Sequence, residues 1–369
     1  MRENNIKIII SGGGSGGHVF PAIAIANALK NNIDNVEILF IGAKGKMEME
    51  KVPEAGFKII GLWISGLQRK LTIKNLMFPF KVILSLMKAK KIIKNFKPDV
   101  VVGVGGYASG PTLRVASKMK IPTLIQEQNS YPGITNKILS KSVNKICVAY
   151  NGMEKYFPKE KIYITGNPVR KEVIKLQGKK DRAMEHFNLT NEKKILLVIG
   201  GSLGARTINE SIHKNLESFK ENNLQLIWQT GKYYIDIAKD AVKNYADDGI
   251  NAYEFIKKMD LAYAAADIVV SRAGAIAISE LCAVKKPCIL IPSPNVAEDH
   301  QTKNAMTLFN YNAAILVKDI EAKDKLGKVI IELLNDEQQQ HQLIEKISSL
   351  AFKDPAKTIA DVILSLIKK

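Results

Sequence analysis

The feature that most constrains this chain is a pattern that occurs four times: an apolar strand, a glycine-rich turn and the start of a helix. Glycine lets backbone N–H groups approach a ligand closely, and the N-terminus of a helix carries partial positive charge. Each turn is therefore a candidate cradle for a phosphate or an oxyanion. The four copies lie at residues 7–20, 100–111, 195–209 and 267–280. Two copies in each half predict two similar nucleotide-type domains that face one another across a central cleft.

Predicted strands and helices alternate along both halves of the chain, as in parallel sheets that are covered by helices on both faces. We therefore predict an α/β fold with two parallel sheets. The sequence GNP at residues 166–168 interrupts the alternation, because a residue that precedes a proline rarely adopts the helical conformation. We predict a first domain over 1–166 and a second over 167–355. An amphipathic helix in 356–369 is expected to pack back on the first domain.

The 369 residues carry a formal net charge of +18. Such an excess predicts an anionic partner, which could be nucleic acid, anionic lipid or a phosphorylated substrate. A lysine-rich compositional bias would account for part of it. Aromatic residues are not interleaved with the basic ones as a base-stacking surface requires, so we predict no nucleic-acid partner. The N-terminal residues do not resemble a signal peptide and no apolar stretch has the length of a bilayer span, so we expect a cytoplasmic protein.

One segment breaks the alternation of strands and helices. Residues 67–97, from Leu67 through Lys97, contain nine basic residues and no acidic one, with apolar residues such as Met77 and Phe80 between them. A basic amphipathic helix that follows an apolar loop is typical of proteins that bind an anionic membrane surface. The alternative is a helix buried in the fold with its lysines in solvent. We predict that this segment contacts anionic lipids of the inner leaflet.

The first glycine-rich turn matches the dinucleotide fingerprint GxGxxG at Gly12, Gly14 and Gly17. That fingerprint also requires an acidic residue at the end of the second strand, and none is present at residues 41–44. The class of dinucleotide-dependent dehydrogenases is therefore disfavoured. His18 follows the turn where a helix begins, and imidazole suits general-base catalysis near neutral pH. The alternative role for His18 is helix capping or packing.

The other turns differ in how strongly they predict an anion site. Residues 105–111 form a second open turn, for which a tight strand–helix connection is the alternative. The turn at 200–206 is the strongest candidate, because backbone amides, the Ser202 hydroxyl and a helix N-terminus converge there. The turn at 271–275 repeats this design, and Glu280 beyond it is either a ribose ligand or a surface acid. No Asp-x-Asp pair is present, so we expect metal-independent binding in which Arg170 or Arg206 neutralises a diphosphate.

Eight ordered motifs resemble those of the GT-B glycosyltransferases of family 28. They are GGGSGGHVFPA, GGYASGP, EQN, GNPVR, GGSLGAR, EFI, SRAGA with ISE, and EDHQTKNA. The resemblance covers residues 6 to about 314 and implies a GT-B fold of two Rossmann-like domains. It implies transfer of GlcNAc from UDP-GlcNAc to lipid I, giving lipid II for peptidoglycan, at the cytoplasmic face of the bacterial cell membrane. It also implies cell-wall synthesis and division proteins as partners, and no metal or other cofactor.

The same resemblance implies roles for individual residues. His18 matches the histidine proposed to act as base on the acceptor, with Glu127 as the alternative base. Tyr107 and Ser109 fall on the acceptor side. The residues expected to bind UDP-GlcNAc are Ser15, Gly16, Gly17, Asn129, Arg170, Ser202, Ile256, Ala275, Glu280 and Gln301.

Three positions depart from the family pattern. Gln126 stands where the family often has histidine, Leu203 stands where it has glutamine, and AEDH precedes Gln301 in place of the more usual KDR. Two alternatives within the same fold remain open, a transferase with a different acceptor and a UDP-GlcNAc epimerase.

Overall fold

The computed structural model describes residues 5–66 and 77–367. The chain divides into two compact units. Unit 1 comprises Met1–Val169 with Phe352–Lys369, and unit 2 comprises Arg170–Ala351. The domain boundary at 166/167 stays a prediction of the sequence. Within the described ranges, no helix is both long and apolar enough to cross a membrane.

Unit 1 contains a parallel sheet of seven strands among its described residues, in the order β3-β2-β1-β4-β5-β6-β7. The strands are β1 (Ile6–Ser11), β2 (Val36–Ala43), β3 (Lys58–Leu62), β4 (Val100–Gly103), β5 (Thr123–Glu127), β6 (Lys145–Val148) and β7 (Ile162–Ile164). The helices are α1 (Gly16–Asn32), α2 (Glu48–Glu54), α3 (Phe78–Phe96), α4 (Ser109–Lys118) and α5 (Ile134–Leu139). Sequence patterns missed β3 and α2, which are short.

Both faces of the unit 1 sheet are buried, as the apolar runs of its strands require. Ile8 and Ile10 of β1 pack on one face with α1, whereas Ile9 between them packs on the other face with α3 and α4. The C-terminal helix also joins the first of these cores, through Ile359 and Ile363. The C-terminal helix is thus packed on the unit that contains β1.

Unit 2 repeats the design with six described parallel strands in the order β10-β9-β8-β11-β12-β13. The strands are β8 (Lys194–Ile199), β9 (Leu224–Gln229), β10 (Ile250–Tyr253), β11 (Ile268–Ser271), β12 (Cys288–Leu290) and β13 (Ile315–Leu316). The helices are α6 (Lys171–Ile174), α7 (Lys180–Phe187), α8 (Arg206–Lys214), α9 (Leu216–Glu221), α10 (Ile235–Val242), α11 (Met259–Ala265), α12 (Ala275–Val284), α13 (His300–Asn310), α14 (Ala322–Asn335) and α15 (Glu337–Ser349); α16 (Pro355–Leu364) belongs to unit 1.

The four glycine-rich turns occupy equivalent places in the two sheets. In unit 1 they follow β1 and β4, which are hydrogen-bonded neighbours, and in unit 2 they follow β8 and β11, which are neighbours as well. At each of these pairs the strand order reverses direction. In open α/β sheets, ligands bind outside the carboxyl ends of the strands at this topological switch point. The fold therefore brings the turns together in two pairs, one in each unit.

Candidate active site

The two glycine-rich turns of unit 1 pack directly on each other. A Cβ on Gly106 would overlap the carbonyl group of Gly13. The ring of His18 lies against the second turn, since a Cβ on Gly105 would be 2.7 Å from the imidazole Cδ2. The His18 Nδ1 is 3.1 Å from the Ser15 hydroxyl oxygen. The turns thus place His18, the predicted base, beside Ser15 at the carboxyl edge of the sheet.

The remaining predicted residues of these two turns lie at helix starts or on the surface. Gly16 and Gly17 are the first two residues of α1. The Tyr107 ring is half exposed and packs over Gly66, where a Cβ would overlap it. Ser109 opens α4 fully buried, and its hydroxyl has no hydrogen-bond partner among the described residues.

Glu48 is a buried carboxylate that the sequence analysis missed. It begins α2, five residues after the end of β2, and it is 1% exposed. Its Oε2 accepts a hydrogen bond from the Gly14 N–H at 2.8 Å, and its Oε1 accepts one from the Ala43 N–H at 2.9 Å. An acidic residue therefore does reach the first turn, from a position further along the chain than the fingerprint specifies.

Glu127, the alternative base, is a buried carboxylate surrounded by N–H donors. Its Oε1 accepts from the backbone and side-chain nitrogens of Asn129 at 3.0 and 3.2 Å. Its Oε2 accepts from the Gly133 N–H at 3.1 Å and the Asn136 Nδ2 at 2.9 Å. Burial raises the pKa of Glu127 above its ordinary value, and the four donors oppose that shift by stabilising the carboxylate. Glu127 and Asn129 thus share one network, which fixes the loop after β5.

Gln126, where the family often has histidine, is fully buried and joins a chain of amides. Its Nε2 donates to the Asn167 Oδ1 at 2.9 Å, and its Oε1 accepts from the Gln128 Nε2. The Asn167 Nδ2 in turn donates to the Gln128 carbonyl at 2.9 Å. This network ties the EQN loop to the segment that leads out of unit 1, so Gln126 has a structural role here.

In unit 2, a cavity of about 420 Å³ lies among the turns that follow β8, β11 and β12. The β8 turn contributes glycines and the N-terminus of α8, and the β11 turn contributes Gly274, which precedes α12. Gln301 of α13 completes the wall from the side of β12. Backbone amides and two helix N-termini therefore converge on one cavity, as binding of an anion requires.

The residues that line this cavity include an ion pair that the sequence did not reveal. Arg272 Nη1 is 2.5 Å from Asp319 Oδ1, and it also donates to the carbonyl groups of Ile291 and Pro292. The Thr207 hydroxyl donates to the other Asp319 oxygen at 3.0 Å. This pair joins the ends of four strand–helix connections, because Thr207, Arg272, Pro292 and Asp319 follow β8, β11, β12 and β13 respectively.

Glu280 forms a second polar cluster in unit 2. Its Oε2 accepts from the buried Tyr263 hydroxyl at 3.2 Å, and its Oε1 is 3.5 Å from Arg170 Nη2. Burial raises the pKa of Glu280, opposed by the nearby charge of Arg170 and by the Tyr263 hydrogen bond. The Glu280 residue is 7% exposed, so it is not the surface acid that the sequence left as an alternative.

The other predicted donor-binding residues lie in or beside these features. Ser202 is exposed in the β8 turn and Ala275 is the first residue of α12. The Gln301 Oε1 accepts from the Ser293 N–H at 2.9 Å, which orients its amide. The Ile256 N–H donates to the Gln229 Oε1 at 3.0 Å. A nucleobase that binds the Ile256 backbone would therefore contact the carbonyl oxygen of Ile256.

Arg206, proposed from sequence to neutralise a diphosphate, lines the cavity but forms an ion pair with Glu210 in this conformation. Its Nε is 2.6 Å from Glu210 Oε1, one helical turn along α8. Across the described ranges, no group of three or more His, Cys, Asp or Glu side chains is placed to hold a metal ion. Metal-independent binding stays a prediction.

A surface of α3 carries the membrane prediction. Phe80, Ile83, Leu84 and Met87 are exposed and share one face of the helix, with Phe80 66% exposed. The exposed Lys90, Lys91 and Lys94 continue that face toward the C-terminus. The opposite face, with Ala89 and Ile93, packs on the sheet. We call the four exposed apolar residues and the three exposed lysines together the α3 face. The first part of the predicted segment, 67–76, lies outside the described residues.

Comparison with known domains and proteins identifies the class of this chain. Residues 8–148 match the glycosyltransferase family 28 N-terminal domain, and residues 195–359 match the family 28 C-terminal domain. Together with the full-length relatives described next, these matches show that the chain belongs to glycosyltransferase family 28.

Two relatives carry the name UDP-N-acetylglucosamine–N-acetylmuramyl-(pentapeptide) pyrophosphoryl-undecaprenol N-acetylglucosamine transferase. The relative from Bacteroides thetaiotaomicron is 54% identical over 367 residues, covering 99% of this chain and 98% of its own. The relative from Flavobacterium psychrophilum is 53% identical over 362 residues, 98% of each chain. The crystal structure of MurG from Acinetobacter baumannii has a TM-score of 0.79 and 26% identity, covering 98% of this chain and 99% of that one.

Proposed function

We propose that this chain transfers GlcNAc from UDP-GlcNAc to the C4 hydroxyl of the muramoyl sugar of lipid I, forming lipid II. Full-length relatives above 50% identity that are named for this transfer support the activity. The observation that carries the proposal from the structure is the cavity in unit 2, where two glycine-rich turns and two helix N-termini meet at a topological switch point.

The donor is assigned to unit 2. The diphosphate of UDP would lie on the amides of the β8 turn with Ser202, near the N-termini of α8 and Ala275 of α12. These groups stabilise the charge that develops on the departing UDP, and each well-placed donor contributes about 3 kcal/mol. Arg170 would add a cation once it leaves Glu280. No metal ion is required by this arrangement.

Three further residues of unit 2 would recognise the rest of the donor. Glu280, whose carboxyl group is held by Tyr263, would accept hydrogen bonds from the ribose hydroxyls. The Ile256 backbone would contact uracil. Gln301, oriented by Ser293, would bind hydroxyls of the transferred sugar.

The acceptor is assigned to the turns of unit 1. The C4 hydroxyl attacks the anomeric carbon opposite to UDP, so the configuration inverts through an oxocarbenium-like transition state. His18 would take the proton through Nε2, with Nδ1–H donating to the Ser15 hydroxyl, which fits their 3.1 Å separation. Such a base contributes roughly 10²–10⁴ in rate. Glu127 is less suited, because four N–H donors already occupy its oxygens.

The remaining residues of unit 1 have supporting roles in this proposal. Tyr107 and Ser109 would line the acceptor side. Ser15, Gly16, Gly17 and Asn129 stay predicted donor contacts from the family resemblance, with Gly16 and Gly17 at the start of α1.

The α3 face fits an enzyme whose acceptor is anchored in a membrane. Its apolar part would enter the headgroup region while its lysines meet anionic lipids of the inner leaflet, at about 1 kcal/mol for each basic residue. We therefore propose peripheral binding at the cytoplasmic face of the cell membrane. Cell-wall synthesis and division proteins stay predicted partners.

An assay with a lipid I analogue tests the proposal and separates it from its alternatives. Radiolabelled UDP-GlcNAc should transfer its sugar to the lipid product at a rate that depends on the analogue. The His18→Ala variant should lose turnover while its KM for UDP-GlcNAc stays near the wild-type value. Formation of UDP-ManNAc without acceptor would identify an epimerase instead, and transfer only to a different sugar lipid would change the acceptor.

A further inference from the structure

The Glu48 carboxylate is hydrogen-bonded to the backbone of the first glycine-rich turn. In a GxGxxG turn, the second glycine allows the backbone to approach a pyrophosphate. Here that residue is Gly14, with φ of +88°, and its N–H is already bonded to the Glu48 carboxylate. Because the other Glu48 oxygen is held by the Ala43 N–H, the carboxylate joins the first turn to the end of β2.

The surrounding backbone is built to admit this side chain. A Cβ on Gly42 would lie 2.6 Å from the Glu48 Cγ, and a Cβ on Gly13 would overlap the carboxyl group itself. Glycine is therefore needed at both positions for Glu48 to reach Gly14. A buried carboxylate costs free energy unless its oxygens are hydrogen-bonded, and these two amides meet that need.

The contact continues from Glu48 to the predicted base. Gly13, which Glu48 touches, supports Gly106 of the second turn, and the neighbouring Gly105 lies against the His18 ring. Ser15 of the first turn lies 3.1 Å from the His18 Nδ1. The imidazole therefore contacts the turn that Glu48 holds through Ser15, and the turn packed on it through Gly105.

We propose that Glu48 is a positioning residue: its carboxylate takes the anion position of the first glycine-rich turn and so fixes the turn that places His18. This inference rests on the proposed function, because it gives His18 the role of base and assigns the donor diphosphate to unit 2. The proposal gives the GxGxxG turn of unit 1 a structural role, in which its Gly14 amide binds the Glu48 carboxylate.

The first experiment compares Glu48→Gln with Glu50→Gln, a matched change at an exposed position of the same helix. A glutamine has the shape of glutamate but can accept from only one of the two amides. We expect Glu48→Gln to lower kcat with lipid I at least tenfold while the KM for UDP-GlcNAc changes less than twofold. Glu50→Gln should keep both constants. Wild-type kcat in Glu48→Gln, or equal loss of donor binding, would overturn the proposal.

A second variant keeps the test decisive if Glu48→Gln folds poorly. Glu48→Ala leaves a carboxylate-sized space beside the Gly14 and Ala43 amides, so added sodium acetate should restore turnover, whereas sodium chloride at equal ionic strength should not. Absence of any difference between the two salts would contradict a positioning carboxylate.

Separate measurements test the proposed function and the positioning role of Glu48. Lack of GlcNAc transfer by the wild-type chain would reject that function. Faster hydrogen exchange in residues 12–18 of Glu48→Gln than of wild type would still support the positioning role, and unchanged exchange would overturn it.

Discussion

The Tyr263 hydroxyl donates a hydrogen bond to Oε2 of Glu280 across 3.2 Å, and both side chains are buried. Tyr263 lies on α11 and Glu280 on α12, so the bond fixes the carboxyl group relative to a neighbouring helix. Burial and the adjacent Glu280 carboxylate raise the pKa of Tyr263 well above its usual range, so the hydroxyl keeps its proton. Tyr263 therefore acts as a fixed donor that orients Glu280.

Replacing this donor should weaken donor binding moderately. In Tyr263→Phe, Glu280 loses one partner and its orientation, which costs about 1 kcal/mol and raises the Kd for UDP-GlcNAc roughly fivefold. Titration calorimetry measures this change. Tyr245→Phe removes a similar bond, to Glu217, on a different helix and should leave the Kd unchanged. Equal Kd values in both variants would remove Glu280 from the ribose site.

The raised pKa of Glu280 predicts a pH dependence of stability. The ordinary value is 4.5, and burial makes the folded chain hold the proton to higher pH. The folded state then binds more protons than the unfolded state in the window above pH 4.5, so the unfolding free energy falls as pH rises through that window. Glu280→Gln should remove this decrease in unfolding free energy with rising pH.

Urea unfolding between pH 4.5 and 7 checks the sign. The stability of Glu280→Gln relative to wild type should increase with pH. A relative stability that decreases with pH would mean that Glu280 is ionised and stabilising in the empty site.

Charge reversal on the α3 face should release the chain from membranes. Lys90, Lys91 and Lys94 are exposed there, whereas Lys88 donates to the Gly61 carbonyl at 2.8 Å and is a poorer target. The triple change of the exposed lysines to Glu should abolish co-sedimentation with vesicles that contain anionic lipid. The control changes the exposed Lys232, Lys239 and Lys328 of unit 2 to Glu. Release by the control as well would indicate a general charge effect, and preference for RNA over vesicles would oppose the membrane assignment.

Gly166 should be sensitive to substitution, because it has φ of +74° and packs against Phe352, where the chain returns to unit 1. In Gly166→Ala, the added Cβ would be 2.8 Å from the Phe352 Cβ. Gly152 has a similar φ of +77° but open space around it. Gly152→Ala should therefore lower the free energy of unfolding by about 1–2 kcal/mol, the cost of a residue with a Cβ at positive φ. Thermal unfolding should show a clearly lower Tm for Gly166→Ala; equal Tm values would mean that Phe352 moves aside freely.

The sequence was sufficient to predict the fold because its signals are local. Apolar strands, glycine-rich turns and helix starts fix each strand–turn–helix unit, such as β8 with α8 and β11 with α12. The family resemblance supplied the activity. Short elements such as β3 and α2 were missed, because five to seven residues contain too little periodicity to be distinguished from loops. The longer helices α14 and α15 were not predicted from the sequence either.

The parts of the site that the sequence did not predict are contacts between residues that are distant along the chain. Glu48 reaches Gly14 from 34 residues away, and Arg272 pairs with Asp319 across 47 residues. Neither pair carries a spacing signal, since register and packing bring the partners together. The roles of individual residues stay predictions for the same reason.

The central claim is that main-chain amides and helix N-termini of unit 2 hold the UDP group. A crystal structure of the chain with UDP-GlcNAc tests this most directly. The diphosphate should lie on the β8 turn beside Ser202, with the ribose on Glu280. A diphosphate bound instead to the Gly14 amide of unit 1, with the Glu48 carboxylate displaced, would contradict it.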